Sequence, residues 1–116
     1  MWKWILAAIL AAGAAQAQEW KTRDGDILFA QADLQARLSG EELVFYDGGQ
    51  SVYLADGFYT YTYGGGGTWH GKWRVSEGSV VCVDYVTEVT RCDMIVENAG
   101  RLVVLTEDGQ RFPVRP

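Results

Sequence analysis

Aromatic and basic side chains alternate along Thr68-Trp69-His70-Gly71-Lys72-Trp73-Arg74-Val75. In a strand, Trp69, Trp73 and Val75 face one way and His70, Lys72 and Arg74 the other. The aromatic row is either core or a surface that grips a ligand. The basic row is either an anion site or a solvated face that discourages edge-to-edge pairing. Charge on exposed strands is common, so a solvated face is the expectation. Upstream, Phe58-Tyr59-Thr60-Tyr61-Thr62-Tyr63 places Tyr59, Tyr61 and Tyr63 on one face. Each ring joins apolar area to a hydroxyl, which suits a ligand or partner. The same stripe can pack beside Trp69 and Trp73 on a neighbouring strand, and core packing is the expectation. Were Phe58 the inward residue, the three tyrosines would form an exposed aromatic surface.

Catalytic material is sparse. The chain has one histidine, His70. None of its serines, Ser39, Ser51, Ser76 and Ser79, lies in a nucleophile-elbow motif. Glu41-Glu42 and Asp24-Gly25-Asp26 are short polar runs; the latter is too little for a calcium loop. Asp84 and Asp93 fall on opposite faces of their strands and make a poor acid pair. Gly64 to Gly67 is followed by a strand and lacks the Lys-Ser/Thr of a phosphate loop. Enzyme activity, a metal site and a cofactor are therefore not expected.

These residues sit in a chain of 116 amino acids with a net charge of -5, enough for one domain. The acidic balance argues against nucleic acid and against anionic membrane surfaces. Residues 1–17 read as a signal peptide, with Lys3 as the basic start, an apolar stretch, and Ala15-Gln16-Ala17 as the cleavage site. The apolar run is too short for a span, which needs about 20 residues. No membrane anchor is expected after cleavage, and a periplasmic or secreted protein is implied. Cys82 and Cys92 fit that compartment. Their spacing supports neither a redox nor a metal pair, so a structural disulfide is expected.

The N-terminal segment 18–42 differs from the rest and contains a helical pattern. Ile27, Ala30, Leu34 and Leu38 share a face, Asp26 can cap and Gly40 can stop. A helix over about 27–38 is expected, although 27–30 also suits a short strand. From 43 to 116, glycine-bearing turns recur every 8–12 residues or so, and β-branched and aromatic runs lie between them. The expected fold is mainly β: an antiparallel up-and-down meander of about 7–8 short strands. It forms a curved sheet or a small imperfect barrel, with one N-terminal helix. Pairing 82 with 92 also pairs 80 with 94 and 84 with 90, which requires a turn at 86–88. Pro113 belongs at an edge or bulge, which opposes full closure.

The order Leu38-Ser39-Gly40, Asp56-Gly57 with Tyr59, Gly71-x-Trp73, Val81-Cys82, Arg91-Cys92 and Asp108-Gly109 resembles a group of small exported proteobacterial proteins of unknown function. In that group a Gly-x-Trp strand precedes two cysteine-bearing strands. The resemblance covers about 38–112. It implies a periplasmic β-rich domain, and it carries no catalytic residues over.

The functional expectation is a non-catalytic periplasmic domain that binds an unknown small ligand through one sheet face or a barrel mouth. The alternative is an envelope protein-interaction or inhibitor module, for example against a basic lytic enzyme. A small hydrolase using His70 is the weaker alternative. Candidate binding residues are Tyr59, Tyr61, Tyr63, Trp69, Trp73, His70, Lys72 and Arg74.

Overall fold

Five of the seven hairpin connections in the sheet use one kind of turn. In each, the first residue accepts from the amide three positions on and donates to the carbonyl four positions on. The turns run Phe45–Gly49, Leu54–Phe58, Tyr63–Gly67, Tyr85–Val89 and Thr106–Gln110. The fourth residue takes a positive φ: Gly48, Gly57, Gly66, Glu88 and Gly109. This is a type I turn closed by a left-handed residue, and it makes a tight hairpin. Glycine holds that position without strain; Glu88, at φ 68°, does not.

The computed structural model describes residues 19–116. The expected signal peptide, 1–17, lies outside the described residues. Strand β1 is Ile27–Leu28, and helix α1 is Gln31–Leu38. Eight strands follow: β2 Glu41–Val44, β3 Gln50–Tyr53, β4 Phe58–Thr62, β5 Thr68–Ser76, β6 Val80–Tyr85, β7 Thr90–Asn98, β8 Arg101–Leu105 and β9 Arg111–Pro113. β2 to β9 pair antiparallel in chain order, so the meander expected from the turns is the observed topology. The sheet curls into a half-barrel. Its two ends touch at one bridge, Phe45 with Val114, and Arg115 donates to the Val44 carbonyl at 2.8 Å. Pro113 lies in the last strand, at the end of the sheet.

Strand β7 is long enough to serve three neighbours. Residues 90–94 pair with β6, 94–98 pair with β8, and Val96 and Glu97 pair with β1 beyond the end of β6. Cys82 stands opposite Cys92, Val80 opposite Met94 and Asp84 opposite Thr90, the register expected from the cysteines. The disulfide is formed.

The helix begins later than its periodicity suggested. Ile27 and Leu28 are exposed strand residues, and α1 starts at Gln31 with Ala30 before it. Asp26 is not the cap. Its carboxylate is drawn instead to Arg111, which donates both terminal nitrogens at 2.9 Å. Asn98 donates to it at 2.7 Å and the Arg23 amide at 2.8 Å. The helix lays Leu34 and Leu38, both fully buried, against the start of β2 and the end of β5.

The concave face of the curl carries the main core, including Leu43, Tyr53, Tyr59, Trp73, Val81, Val83, Ile95 and Val104. The convex face of β7 and β8 carries a second, smaller core of Met94, Val96, Val103 and Leu105, flanked by Val80 and Trp20. The Asp26 clamp fastens the N-terminal segment to β7 and β9. Ser79, buried in the β5–β6 turn, accepts from the Phe29 amide at 2.9 Å and donates to the Ile95 carbonyl, which fixes the chain just before α1.

Candidate functional site

The helix fills one end of the curl. At the opposite end, where β2 finishes and β5 begins, the concave face opens into a cavity of about 340 Å³. That volume falls in the range of small-molecule sites, roughly 300–1,000 Å³. Strand alternation selects its lining. Tyr59 and Tyr61 of β4, Trp69 of β5, Val83 and Tyr85 of β6, and Arg91 and Asp93 of β7 all project inward. Cys92, between the last two, projects outward to its disulfide.

The cavity has a buried floor and an open mouth. At the floor, Tyr59 is 5% exposed, and its hydroxyl shares a hydrogen bond of 2.9 Å with Ser51. Burial, with Tyr53 and Tyr85 beside it, pushes this phenol far above its ordinary value, so it stays neutral. At the mouth, Tyr63 and Trp69 are 52% and 42% exposed. The rings meet edge to face: Tyr61 with Tyr63 at 5.1 Å between centroids, Trp69 with Tyr85 at 5.9 Å, and Tyr59 with Tyr85 at 6.0 Å.

Two glycines make this ring cluster possible. Gly71 lies between Tyr59 and Tyr85 in register. A Cβ there would come within 2.6 Å of the Asp84 carbonyl oxygen. At Gly49 a Cβ would stand 2.2 Å from the Tyr61 hydroxyl. Gly49 therefore seats the end of Tyr61 against the β2–β3 turn, where Asp47 accepts from the Gly49 amide at 2.9 Å.

One ion pair stands in the wall. The Nε of Arg91 approaches Asp93 at 3.2 Å. Asp93 is mostly buried, and burial pushes its carboxyl above the ordinary range despite the attraction of Arg91. Arg91 remains charged: burial works against it, but Asp93 outweighs that cost.

The structure divides the sequence-derived candidates. Tyr59, Tyr61, Tyr63 and Trp69 come together in the cavity. Trp73 shares their face but belongs to the core, packed edge to face on Tyr53 at 5.4 Å and donating to the Leu54 carbonyl at 2.9 Å. His70, Lys72 and Arg74 lie on the convex face, away from the cavity. Lys72 stands 5.5 Å from the Phe58 ring centroid, and Arg74 pairs with Asp84 at 3.0 Å. Phe58 points outward, so the tyrosines point in. Asp47, Tyr85, Arg91 and Asp93 were not among the candidates. Their signal was parity: Arg91 and Asp93 share the register of the fully buried Ile95.

Among the described residues, no group of three or more His, Cys, Asp or Glu side chains is placed to hold a metal. No helix among them is long and apolar enough to cross a membrane. A small disulfide-bonded domain of this kind is compatible with an extracellular location. Comparison with protein-family models, curated proteins and solved structures finds no match.

Proposed function

We propose that this chain is a non-catalytic binding domain of the periplasm, resembling the small exported proteobacterial group, and that its site is the concave cavity. The observation that carries the reading is the cavity itself. A mainly apolar and aromatic lining, a buried hydroxyl pair at the floor and a few fixed polar groups are the composition of small-molecule sites. The geometry favours binding over hydrolysis by His70, because that imidazole lies on the other face of the sheet from the cavity. The envelope-interaction alternative keeps one supporting feature: Tyr63, Trp69 and Val89 give the mouth an exposed apolar rim.

Native mass spectrometry of protein purified from a periplasm tests this. The expected spectrum shows a chain beginning at Gln18 with the Cys82–Cys92 bond intact and a small-molecule adduct. Loss of that adduct in Tyr85→Leu locates it in the cavity. A bare mass, together with unchanged tryptophan fluorescence across a small-molecule panel, sinks the reading. A stoichiometric complex with another envelope protein transfers it to the interaction module.

A further inference from the structure

We propose that the cavity mouth takes an alkylated ammonium head, such as a quaternary ammonium, a proposal that rests on the reading of the cavity as a binding site. Four rings form the mouth. Tyr61 and Tyr63 meet at 87°, and Trp69 and Tyr85 at 74°. Tyr61 and Trp69 stand directly opposite each other in the β4–β5 register, so the two edge-to-face corners join into one rim. Ring faces carry the negative part of the aromatic quadrupole and attract cations.

The fixed charges agree. Asp47, Arg91 and Asp93 are the charged residues of the lining. Arg91 and Asp93 offset each other across 3.2 Å, which leaves Asp47 as the excess. Asp47 is beside the rings: the position of a Cβ on Gly49 lies 3.1 Å from its Oδ1 and 2.2 Å from the Tyr61 hydroxyl. Glu107 and Asp108 line an adjoining groove that shares Arg91 and Asp93. A net charge of -5 draws cations from a distance.

The rim also selects the kind of cation. A primary ammonium carries three donors and requires acceptors for each once desolvated. The mouth offers ring faces, the weakly accepting phenol oxygens of its tyrosines and the Asp47 carboxylate, Asp93 being engaged by Arg91. A methylated head requires no acceptors and presents apolar surface to the rings.

Calorimetric titration of the oxidised protein with choline chloride tests this, with 3,3-dimethylbutan-1-ol as neutral isostere and benzoate as anion. Choline is expected to bind at least about tenfold more tightly than the isostere. Trp69→Leu and Tyr63→Leu are each expected to weaken choline about tenfold, and Tyr63→Leu, at the more exposed side chain, to leave the urea midpoint nearly unchanged. Asp47→Asn weakens it less and flattens its salt dependence. Equal binding of choline and the alcohol overturns the cation while keeping the cavity as a binding site. So does tighter benzoate binding that is lost in Arg91→Gln. Silence with all three probes overturns the inference, and the native-mass and fluorescence screen then decides the cavity separately. Co-sedimentation with phosphatidylcholine vesicles, if it accompanies choline binding, assigns a lipid headgroup as the source. Choline binding without it assigns a free cation.

Discussion

Two arginine–aspartate pairs sit on opposite faces of the same sheet, and they differ in almost every respect. Asp26 is held by both terminal nitrogens of Arg111, by Asn98 and by a backbone amide, and its side chain is 2% exposed. Asp93 faces a single nitrogen of Arg91, whose side chain is 57% exposed. The hydrogen bonds of Arg111 hold the Asp26 carboxyl well below the ordinary range, whereas burial raises that of Asp93. Identical residue types thus serve as a fastener on the convex face and as an incompletely satisfied wall on the concave one. A fully bonded pair has no capacity left for a ligand; a loosely bonded pair in a cavity does.

The contrast can be broken most sharply at Asp26. Asp26→Ala leaves a guanidinium without its partner and is expected to cost about 3–5 kcal/mol, read as a shift in the urea midpoint. Reduction of Cys82–Cys92 ranks next, at about 2.5–3 kcal/mol, with much of the β-structure retained by circular dichroism. Because Cys92 sits between Arg91 and Asp93, reduction is also expected to weaken ligand binding in the cavity. Free Cys82 and Cys92 thiols in periplasm-purified protein would refute the bridge.

Acid separates the pairs by sign. The folded Asp26 has a depressed pKa, so its contribution is complete above the ordinary value of 3.8 and is lost as pH falls below it towards the folded value. For Asp93 the folded pKa is raised, so protonation favours the native state as pH falls through it. Urea midpoints at pH 6 and pH 3 are expected to drop less in Asp26→Asn than in the parent. An equal drop would remove the clamp from the account.

Asp93→Asn is expected to change stability by less than about 1 kcal/mol, since Arg91 stays largely solvated. A loss comparable to that of Asp26→Ala would make the two pairs equivalent. The smallest effect is expected at Glu88, the left-handed residue between the cavity strands β6 and β7. Glu88→Gly relieves its backbone there and is expected to stabilise by about 0.5 kcal/mol, net of unfolded-state entropy.

Much of this was legible from residues alone because tight turns tie sequence distance to register. Asp-Gly and Gly-Gly pairs mark the turns, and the two cysteines fix β6 against β7 to the residue. Alternation then decides faces, which is why Tyr59, Tyr61, Tyr63 and Trp69 converge as a set. The failures came where distant segments compete for one residue. Asp26 has the composition of a helix cap, but Arg111, 85 positions away, binds it more completely. Ile27 satisfies a helical period, but β7 offers Ile27 and Leu28 a free edge, and the short strand that 27–30 also suited is the one formed. Arg91 and Asp93 stayed outside the candidate set, because polarity usually marks the wet face of a strand. Their common parity with Ile95 was the better guide. Gly49 and Gly71 show their purpose only when the rings beside them are in place.

The closures of the sheet also differ in the length of chain they must gather. Each hairpin from β2 to β9 joins neighbours across a few residues, so its loop-closure entropy is small. The contact of β1 with β7 and the bridge from Phe45 to Val114 each span about 70 residues, and their entropic cost is correspondingly larger. The meander is expected to assemble hairpin by hairpin, with these two contacts sealed last and opened first. Amide hydrogens of Ile27, Leu28 and Arg115, the last bonded across the seam to Val44, should then exchange with solvent ahead of those in β5 to β7. Phe45 belongs to the seam and to the cavity lining, so opening the seam would loosen one wall of the cavity while β4 to β7 hold its rings.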